Sequence, residues 1–275
     1  MTMMTKSYKI IGFDNFKNLF SDPFFLKALR NTWKIWILNF LPQLGVAMLL
    51  AVWFTNNRLK IKFVGFWRTI FYLPNLLMPV TIAVLFFNLF SFYGPVNQIA
   101  VRSGVVQNAI DFFRSTGWAQ SIVVFVQWWM WFGSTLIVLM AGMTSISSTY
   151  YEAAMVDGAS AFQMFRKITL PLLKPVLLYI LVTSLVGGMQ MFDIPYMLTD
   201  GRGSPNGSIM TMNVLMYMKF SSNKGHIGAA AAVGMMIFII TSAAAFLIMK
   251  MLKEKEPNLE KKAMKRIVKT VGKEI

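Results

Sequence analysis

The sequence contains no cysteine and a single histidine, His226, among its 275 residues. Without cysteine the chain cannot form a disulfide, a cysteine-bound zinc site or a cysteine nucleophile. One histidine by itself builds neither a histidine metal cluster nor a catalytic triad. Much of the usual chemistry of enzymes is therefore excluded, and we predict no catalytic residues and no metal site.

Charged residues are also scarce, at 14% of the chain, whereas soluble domains carry about 25%. Hydrophobic residues make up 56%, which indicates a protein whose solvent is a lipid bilayer. Lys and Arg number 27 against 11 Asp and Glu. In so apolar a chain we interpret this basic excess as a marker of membrane sidedness and expect no nucleic-acid partner.

Stretches with few or no charged residues predict the membrane-spanning segments. About 20 helical residues cross the hydrocarbon core, and open sheets cannot survive there because their backbone groups would lack partners. We predict an all-α, polytopic transmembrane bundle with five spans, at about residues 35–55, 69–90, 122–143, 172–192 and 227–249. Pro42, Pro74 and Pro79 lie inside these spans, where neighbouring helices can satisfy the freed carbonyl groups.

The basic residues predict the orientation of the spans. Residues 56–68 contain four basic side chains and no acidic one, which marks this segment as cytoplasmic under the positive-inside rule. Alternation then predicts an extracytoplasmic segment at 1–31, a transmembrane domain at 32–250 with a cytoplasmic loop at 145–171, and a basic cytoplasmic tail at 251–275. The N-terminal stretch is basic although it is predicted to lie outside, so it conflicts with the rule.

The loop at 145–171 has local signals of its own. Thr149 and Glu152 have the spacing of a capping box, which predicts a helix capped by Thr149. Gly158 then predicts a helix stop, and a second short helix at 161–167 is expected to end before Pro171. Ala153, Ala154 and Asp157 share much of one helical face, which is small enough for another protein to approach closely.

Glu152-Ala153-Ala154, followed by Gly158 and by Ile168-x-Leu170-Pro171, resembles the EAA signature of permease subunits from binding-protein-dependent ABC importers. We call residues 145–171 the EAA loop. Further segments are similar to the carbohydrate-uptake branch of that family, and specifically to its maltose-type first permease: residues 12–16, 22–32, 71–74 and 192–199. The resemblance covers about residues 12–249.

The resemblance implies a permease fold in the cytoplasmic membrane of a prokaryote. It implies that the protein translocates a sugar or oligosaccharide by alternating access, with an extracytoplasmic solute-binding protein, a second homologous permease and two cytoplasmic ATPase subunits as partners. ATP would be bound and hydrolysed by the partner, so this chain would hold no cofactor and would not be an enzyme. The glycine-rich loop, which we define as residues 199–207, would face the solute-binding protein.

In this family the EAA loop is a coupling helix that docks in a groove of the ATPase. The resemblance carries that role to Glu152, Ala153, Ala154, Asp157, Gly158, Ile168, Leu170 and Pro171. Glu152 would pair with a basic residue of the ATPase. The other reading is that it only completes its own capping box, and the two roles are compatible.

The family pattern has one more apolar helix before residue 12, where this sequence begins with about ten residues. A lost leading helix would explain why a basic N-terminal stretch is predicted outside. A truncation or misplaced start and a natural five-span form are equal alternatives.

Polar groups inside spans usually face a bundle interior or a cavity, so they are the candidates for a solute pathway. They are Asn39, Gln43, Asn88, Gln127 and Gln190, with Asp193 at a span end. Trp128, with its neighbours Trp129 and Trp131, is a further candidate, because sugars bind to amides and aromatic platforms. An interfacial aromatic belt or simple packing is the alternative for these tryptophans.

Two alternative functions stay open. The chain could transport a non-sugar solute such as glycerol phosphate, and among sugars the sequence does not favour one. An ion-coupled secondary transporter is the alternative from another class, but it would need an ionisable relay inside the membrane. Asp193 is the only acidic residue near a predicted span, which argues against that mechanism.

Overall fold

The structure, a computed structural model, describes residues 12–56, 59, 61–199, 201–222 and 227–252. Most of the predicted basic tail, from residue 253 onward, and residues 1–11 of the predicted outer segment lie outside this description. Throughout the described ranges the regular structure is helical, without a strand. This architecture confirms the predicted all-α fold class.

Most of the helices follow one another with short connections, and residues 103–115 and 198–211 form the two long ones. In chain order they are α1 Asp14–Phe20, α2 Pro23–Thr55, α3 Val64–Leu76, α4 Pro79–Leu89, α5 Pro95–Arg102, α6 Thr116–Thr144, α7 Ser148–Val156, α8 Ala161–Met164, a π-helical turn Phe165–Thr169, α9 Leu170–Leu172, α10 Lys174–Met189, α11 Asp193–Met197, α12 Met212–Ser221 and α13 Ile227–Leu252.

Four segments of the described chain are long and apolar enough to cross a membrane, and a fifth span results if α3 and α4 act as one broken span. The four are α2, α6, the segment Lys174–Met197 that joins α10 to α11, and Ile227–Met251 of α13. The helices are therefore compatible with five crossings, as the charge-free stretches predicted.

The first long helix begins at Pro23, well before the predicted start of the first span at residue 35. Asp22 caps it, since its carboxylate accepts a hydrogen bond from Phe24 N at 2.9 Å, and Pro23 occupies the first turn. The predicted domain boundary at residue 32 thus lies within α2. The predicted span begins at residue 35, after the charge of Lys34, whereas helix hydrogen bonding continues through the charged residues of α2.

The second predicted span is not one straight helix. The axes of α3 and α4 meet at 93°, with Leu77 and Met78 between them in extended conformation. Pro79 explains the break, because its ring disfavours a helical conformation for the residue before it and it cannot donate a backbone hydrogen bond. Pro42 and Pro74, in contrast, lie inside helices.

The core forms mainly where α2 packs along α6, and α3 and α10 add to it. Gly133 of α6 brings that helix against the backbone of α3, since a Cβ atom there would lie 2.0 Å from the Phe71 carbonyl oxygen. Gly188 of α10 similarly lies against the Trp36 indole of α2, at 2.1 Å from such a Cβ atom. Glycine at these two positions sets the distance between helices.

We expect Gly133→Val to destabilise the protein, because the Phe71 carbonyl belongs to the α3 backbone and cannot move aside alone. Such overpacking costs about 1–3 kcal/mol, which would lower the thermal unfolding midpoint of the purified protein by about 3–10 °C. Gly45→Val on α2 is the matched control, because no atom lies within 4 Å of a Cβ there. Equal midpoints for the two variants would contradict this packing role.

Candidate functional site

The first helix of the EAA loop, α7, has no buried residue. Glu152, Ala153, Asp157 and Gly158 are exposed, and Ala154 is half-buried. Among the described residues the Glu152 carboxylate has neither a hydrogen bond nor an ion pair. A helix this exposed contributes little to the core and leaves its charged and small residues accessible to a partner.

The predicted capping box of Thr149 and Glu152 is wrong. The helix begins at Ser148, and its cap is Ser147, two residues before Thr149. The Ser147 hydroxyl accepts a hydrogen bond from Thr149 N at 3.4 Å. Because Glu152 is then too far along the helix to reach the cap amide, its side chain does not complete a box. This removes the competing, purely local role for Glu152.

A real capping box lies further along the EAA loop, at the start of α8. Gln163 N donates to Ser160 Oγ at 3.3 Å, and Ser160 N donates to Gln163 Oε1 at 2.8 Å. Sequence reasoning overlooked it, although Ser-x-x-Gln is the same spacing signal. Between the two helices Gly158 adopts φ +72°, which confirms the predicted glycine turn after α7.

The second part of the EAA loop does not end at Pro171 as predicted. The chain passes from α8 through the π-helical turn, which contains Ile168, into α9, which contains Leu170 and Pro171, and then into α10. A π turn changes the hydrogen-bond register, since Leu170 N donates to the Phe165 carbonyl five residues earlier. The helix can therefore continue through Pro171, which has no backbone N–H to donate. Sequence periodicity does not reveal such a turn.

One hydrogen bond holds the two parts of the EAA loop together, and one packing contact just after the loop joins the chain to α6. Tyr151 of α7 and the buried Thr169 share a hydrogen bond of 2.9 Å between their hydroxyl groups. Leu173, which is fully buried, lies against Gly142 of α6, where a Cβ atom would approach it to 2.9 Å. The exposed helix α7 is therefore joined to a firmly packed base.

Three of the candidate pathway residues are satisfied within the protein. Asn39 and Asn88 donate to the carbonyl groups of Ile35 and Val84, one turn earlier in their own helices, at 2.9 and 2.8 Å. Gln43 joins α2 to α6, because its amide donates to Thr135 Oγ1 at 2.7 Å and to the Trp131 carbonyl at 3.2 Å. These contacts assign Gln43 a packing role in this conformation.

The tryptophans near Gln127 do not form one surface. Trp131, which is 48% exposed, donates from its indole to Gln127 Oε1 at 3.2 Å. Trp128 stacks on Phe132, with ring centroids 5.6 Å apart, and its buried indole N–H has no acceptor among the described atoms. Trp129 packs edge-on against Phe86 of α4. Trp131 therefore contacts two other candidates, Gln127 through its indole and Gln43 through its carbonyl group.

Gln190 and Asp193 lie at the end of α10 and the start of α11. Asp193 is exposed in the first turn of α11. Gln190 lines a cleft of about 550 Å³ between α10, α12 and α13. We call it the polar cleft, because its lining includes Asn213, Thr241 and Ser242. Sequence reasoning missed these three residues, since they are uncharged and lie on separate helices.

The end of the glycine-rich loop and the residues directly after it are held by buried polar groups of α2 and α6. Asn31 Nδ2 donates to the carbonyl groups of Gly207 and Met210, at 2.8 and 3.1 Å. Gln120 Nε2 donates to the Ser208 carbonyl at 2.6 Å, while its Oε1 accepts from Lys34 Nζ, also at 2.6 Å. The loop is thus fixed in place by bonds from side chains far apart in sequence.

Comparison with known proteins places these features in a family. The family of binding-protein-dependent transport system inner membrane components matches residues 32–255. The chain belongs to this family. The match includes the whole EAA loop and all the helices from α3 to α13, and it confirms the resemblance seen in the EAA signature.

The relatives of this family member include permease proteins of sugar transport systems. The lactose transport system permease protein of Rhizobium radiobacter is 30% identical over 239 residues, which cover 87% of this chain and 80% of that protein. The multiple sugar-binding transport system permease protein of Streptococcus mutans is 28% identical over 256 residues, covering 93% of this chain and 85% of that protein.

Solved structures of a bacterial ABC transporter that imports the acidic polysaccharide alginate have the same fold. One chain matches with a TM-score of 0.77 and 26% identity, covering 91% of this family member and 86% of that chain. The same transporter in complex with an alginate pentasaccharide-bound periplasmic protein matches with a TM-score of 0.75 and 26% identity, covering 88% and 83%. The fold is therefore that of an ABC importer permease.

The left-handed conformation of Gly158 gives a testable prediction for the EAA loop. We expect Gly158→Val to loosen the turn after α7, because a left-handed β-branched residue costs about 1–2 kcal/mol. Amide hydrogen exchange at Gly158 and Ala159, whose N–H groups close the turn, should then be about 5- to 30-fold faster. Gly158→Asn is the control, since asparagine tolerates this conformation. Equal exchange in both variants would contradict the requirement.

Proposed function

We propose that this chain is a transmembrane permease subunit of an ATP-driven importer that takes up a sugar or oligosaccharide. It acts in the cytoplasmic membrane of a prokaryote with a second homologous permease, two cytoplasmic ATPase subunits and an extracytoplasmic solute-binding protein. ATP is bound and hydrolysed by the ATPase, so this chain needs no cofactor of its own. The main support is that a chain of this family has an EAA loop whose first helix is exposed and accessible to a partner.

The surface of the EAA loop supports an ATPase partner. Val156, one helical turn after Glu152 on α7, is 89% exposed, and Phe162 of α8 is 69% exposed. The Glu152 carboxylate has no partner among the described residues. Exposed apolar side chains beside a charge are typical of a surface that a protein covers. We assign Glu152 to an ion pair with the ATPase, Ala153, Ala154 and Asp157 to close packing, and Gly158 to the turn that presents them.

The connection from the EAA loop to the spans supports transmission of movement. Ile168, Leu170 and Pro171 lie in the helical path that leads from α8 into α10, and Tyr151 bonds to Thr169 on that path. ATP binding that draws the coupling helices together would therefore move α10. Because the ATPase would bind the two arrangements of the permease differently, its binding energy could drive alternating access.

The glycine-rich loop is proposed to face the solute-binding protein. Support comes from its resemblance to the family and from the related alginate transporter, which has been solved with a periplasmic protein. Its rigid attachment to α2 and α6 suits a docking surface, since little conformational entropy is lost when an ordered loop binds.

A sugar is favoured over a solute such as glycerol phosphate by the relatives, whose systems transport lactose and multiple sugars. An ion-coupled carrier is disfavoured by the charges. In the described part of α2, α6, α10 and α13 there is no carboxylate, and Asp193 is exposed at the start of α11. A relay of protons or cations through the membrane normally needs such a group.

Charge reversal at Glu152 tests the coupling role. We expect Glu152→Lys to reduce ATP-dependent sugar uptake by the reconstituted complex at least tenfold, because breaking an interfacial charge pair costs about 2–5 kcal/mol. The amount of ATPase that co-purifies with the chain should fall in parallel. Uptake is measured in proteoliposomes that contain the binding protein and ATP, with labelled lactose, maltose and arabinobiose.

Asp14→Lys is the matched control, since Asp14 is an exposed carboxylate on α1 with only a 4.0 Å contact to Lys17. It should leave uptake and ATPase recovery unchanged. Undiminished uptake by Glu152→Lys would refute the coupling role. Uptake in vesicles without ATP, under an ion gradient alone, would instead identify a secondary transporter.

A further inference from the structure

The connection from α4 to α6 lies at the end of the bundle opposite the EAA loop. Helix α6 leads into the EAA loop, so its first turn, which contains Trp118, belongs to the other end. The end of α4 reaches the same level, since Phe90 packs edge-on against Phe112 and Phe112 packs edge-on against Trp118, with ring centroids 5.3 Å apart in both pairs. Because α6 is a span and α4 ends the broken span, their connection lies where hydrocarbon meets water. We call residues 91–115, which include α5, the α5 segment.

Hydrogen bonds of one buried amide fix the shape of the α5 segment. Asn97 Nδ2 donates to the Phe92 carbonyl, which precedes α5, at 3.2 Å and to the Ile110 carbonyl, which follows it, at 2.9 Å. Asn97 Oδ1 accepts from Ile110 N at 2.9 Å. Gly104, at φ +73°, ends the helix in the left-handed conformation. The segment is therefore held from its inner side, which leaves the outer side available for another contact.

The outer side of the α5 segment is apolar although it is exposed. Tyr93, Ile99 and Val105 are 84, 68 and 77% exposed. Ile99 lies on the opposite side of α5 from Asn97, because two residues turn a helix by about 200°. A single exposed apolar side chain is normal on a protein surface, but three within 13 residues indicate a surface that something apolar covers.

The surroundings of these side chains favour a lipid as the covering partner. The apolar surface begins on α4, where Val84 and Leu85 are half-exposed, as expected of a span that faces acyl chains. Trp118 is half-exposed at the level of the α5 segment. Trp and Tyr are enriched where membranes meet water. An apolar surface that follows the chain from a span to its end, and carries aromatic side chains there, is typical of contact with the bilayer interface.

The charges of the α5 segment fit anionic headgroups. The segment contains two basic residues, Arg102 and Arg114, and one acidic residue, Asp111. Arg114 Nε lies 3.2 Å from Asp111 Oδ2, whereas the exposed Arg102 has no carboxylate partner in the described part of the chain. Arg102 follows Ile99 by three residues, so the two side chains share one face of α5. A guanidinium beside an inserted apolar side chain can bind a lipid phosphate.

We propose that the outer side of the α5 segment inserts into the bilayer interface, with Tyr93, Ile99 and Val105 where acyl chains meet headgroups and Arg102 on a lipid phosphate. The partner is an anionic phospholipid. The contact holds the end of α4 at a fixed depth, although α4 is joined to α3 by only two extended residues. The inference concerns the lipid and holds for any transported solute.

Fluorescence quenching in nanodiscs tests the insertion. The sequence has no cysteine, so Ile99→Cys and Val105→Cys each give one site for a bimane label in the permease–ATPase complex, assembled with cysteine-free partner subunits. We expect doxyl-labelled lipids to quench both labels about threefold more than a label on Arg202→Cys, and acrylamide, which stays in water, to quench them less. Arg202 is the control because it is exposed in the glycine-rich loop at the same end of the bundle.

Two substitutions test the headgroup contact. Quenching of the Val105→Cys label by doxyl-phosphatidylglycerol, divided by quenching by doxyl-phosphatidylcholine, measures the preference for anionic lipid. Arg102→Gln should lower this preference about fivefold, because one basic residue near the membrane surface is lost. Arg114→Gln is the matched control, since Arg114 is already paired with Asp111, and it should leave the preference unchanged.

Other results overturn the assignment. Labels on Ile99→Cys and Val105→Cys that respond to acrylamide as the Arg202→Cys label does mean that the segment lies in water. Labels that become shielded only when the solute-binding protein is added identify a protein-docking surface instead. Equal lipid preference of Arg102→Gln and Arg114→Gln refutes the headgroup contact. Thermal unfolding midpoints show whether each variant is folded, and the two label positions give separate readings. Sugar uptake does not enter these measurements, so their failure leaves the import function standing.

Discussion

The contact between α2 and α6 supports the rest of the molecule. Gln43 fixes it near its centre, through bonds to Thr135 and the Trp131 carbonyl, and in a membrane such a bond replaces the water that a buried amide would otherwise require. Other elements attach to this pair. Gly133 lets α3 pack closely against one side of α6, and Trp36 packs on Gly188 of α10. Asn31 and Gln120 hold the end of the glycine-rich loop and the residues directly after it. A shift between α2 and α6 would therefore disturb all of these contacts together.

The buried polar groups and the EAA loop differ in where their side chains find partners. Side chains such as Asn31, Thr32 and Gln120 are buried and form hydrogen bonds to distant parts of the chain. These bonds stabilise the subunit itself. Helix α7 buries no residue. Its order comes from one cap, one glycine turn and the bond between Tyr151 and Thr169. Such a helix gains most of its possible stabilisation from a partner, which is what a subunit that transmits movement requires.

Sequence reasoning succeeded where one physical signal dominates. Apolar length located the spans, the need for positive φ located the turn at Gly158, and the EAA spacing located the family. It failed where several weak signals compete. Charge misplaced the start of α2, because Lys27, Arg30 and Lys34 do not interrupt helix hydrogen bonding. Thr149 and Ser147 both offer caps, and only the geometry chooses Ser147. The cleft could not be predicted, since Asn213 and Thr241 become neighbours of Gln190 only through tertiary packing.

Helix α10 connects the EAA loop to the polar cleft physically. One side of it is locked, with Gly188 under the Trp36 indole and Ser184 Oγ accepting from that indole at 3.1 Å. Another side, with Gln190 at its end, opens to the polar cleft. At its start the helix continues from the EAA loop through the π-helical turn. Its 16 residues are about 24 Å long, so a displacement of α7 has a rigid path to the cleft. Trp36 of α2 holds one side of α10, so such a displacement would tilt α10 about that contact. The tilt would alter the shape of the cleft more than the packing of the core.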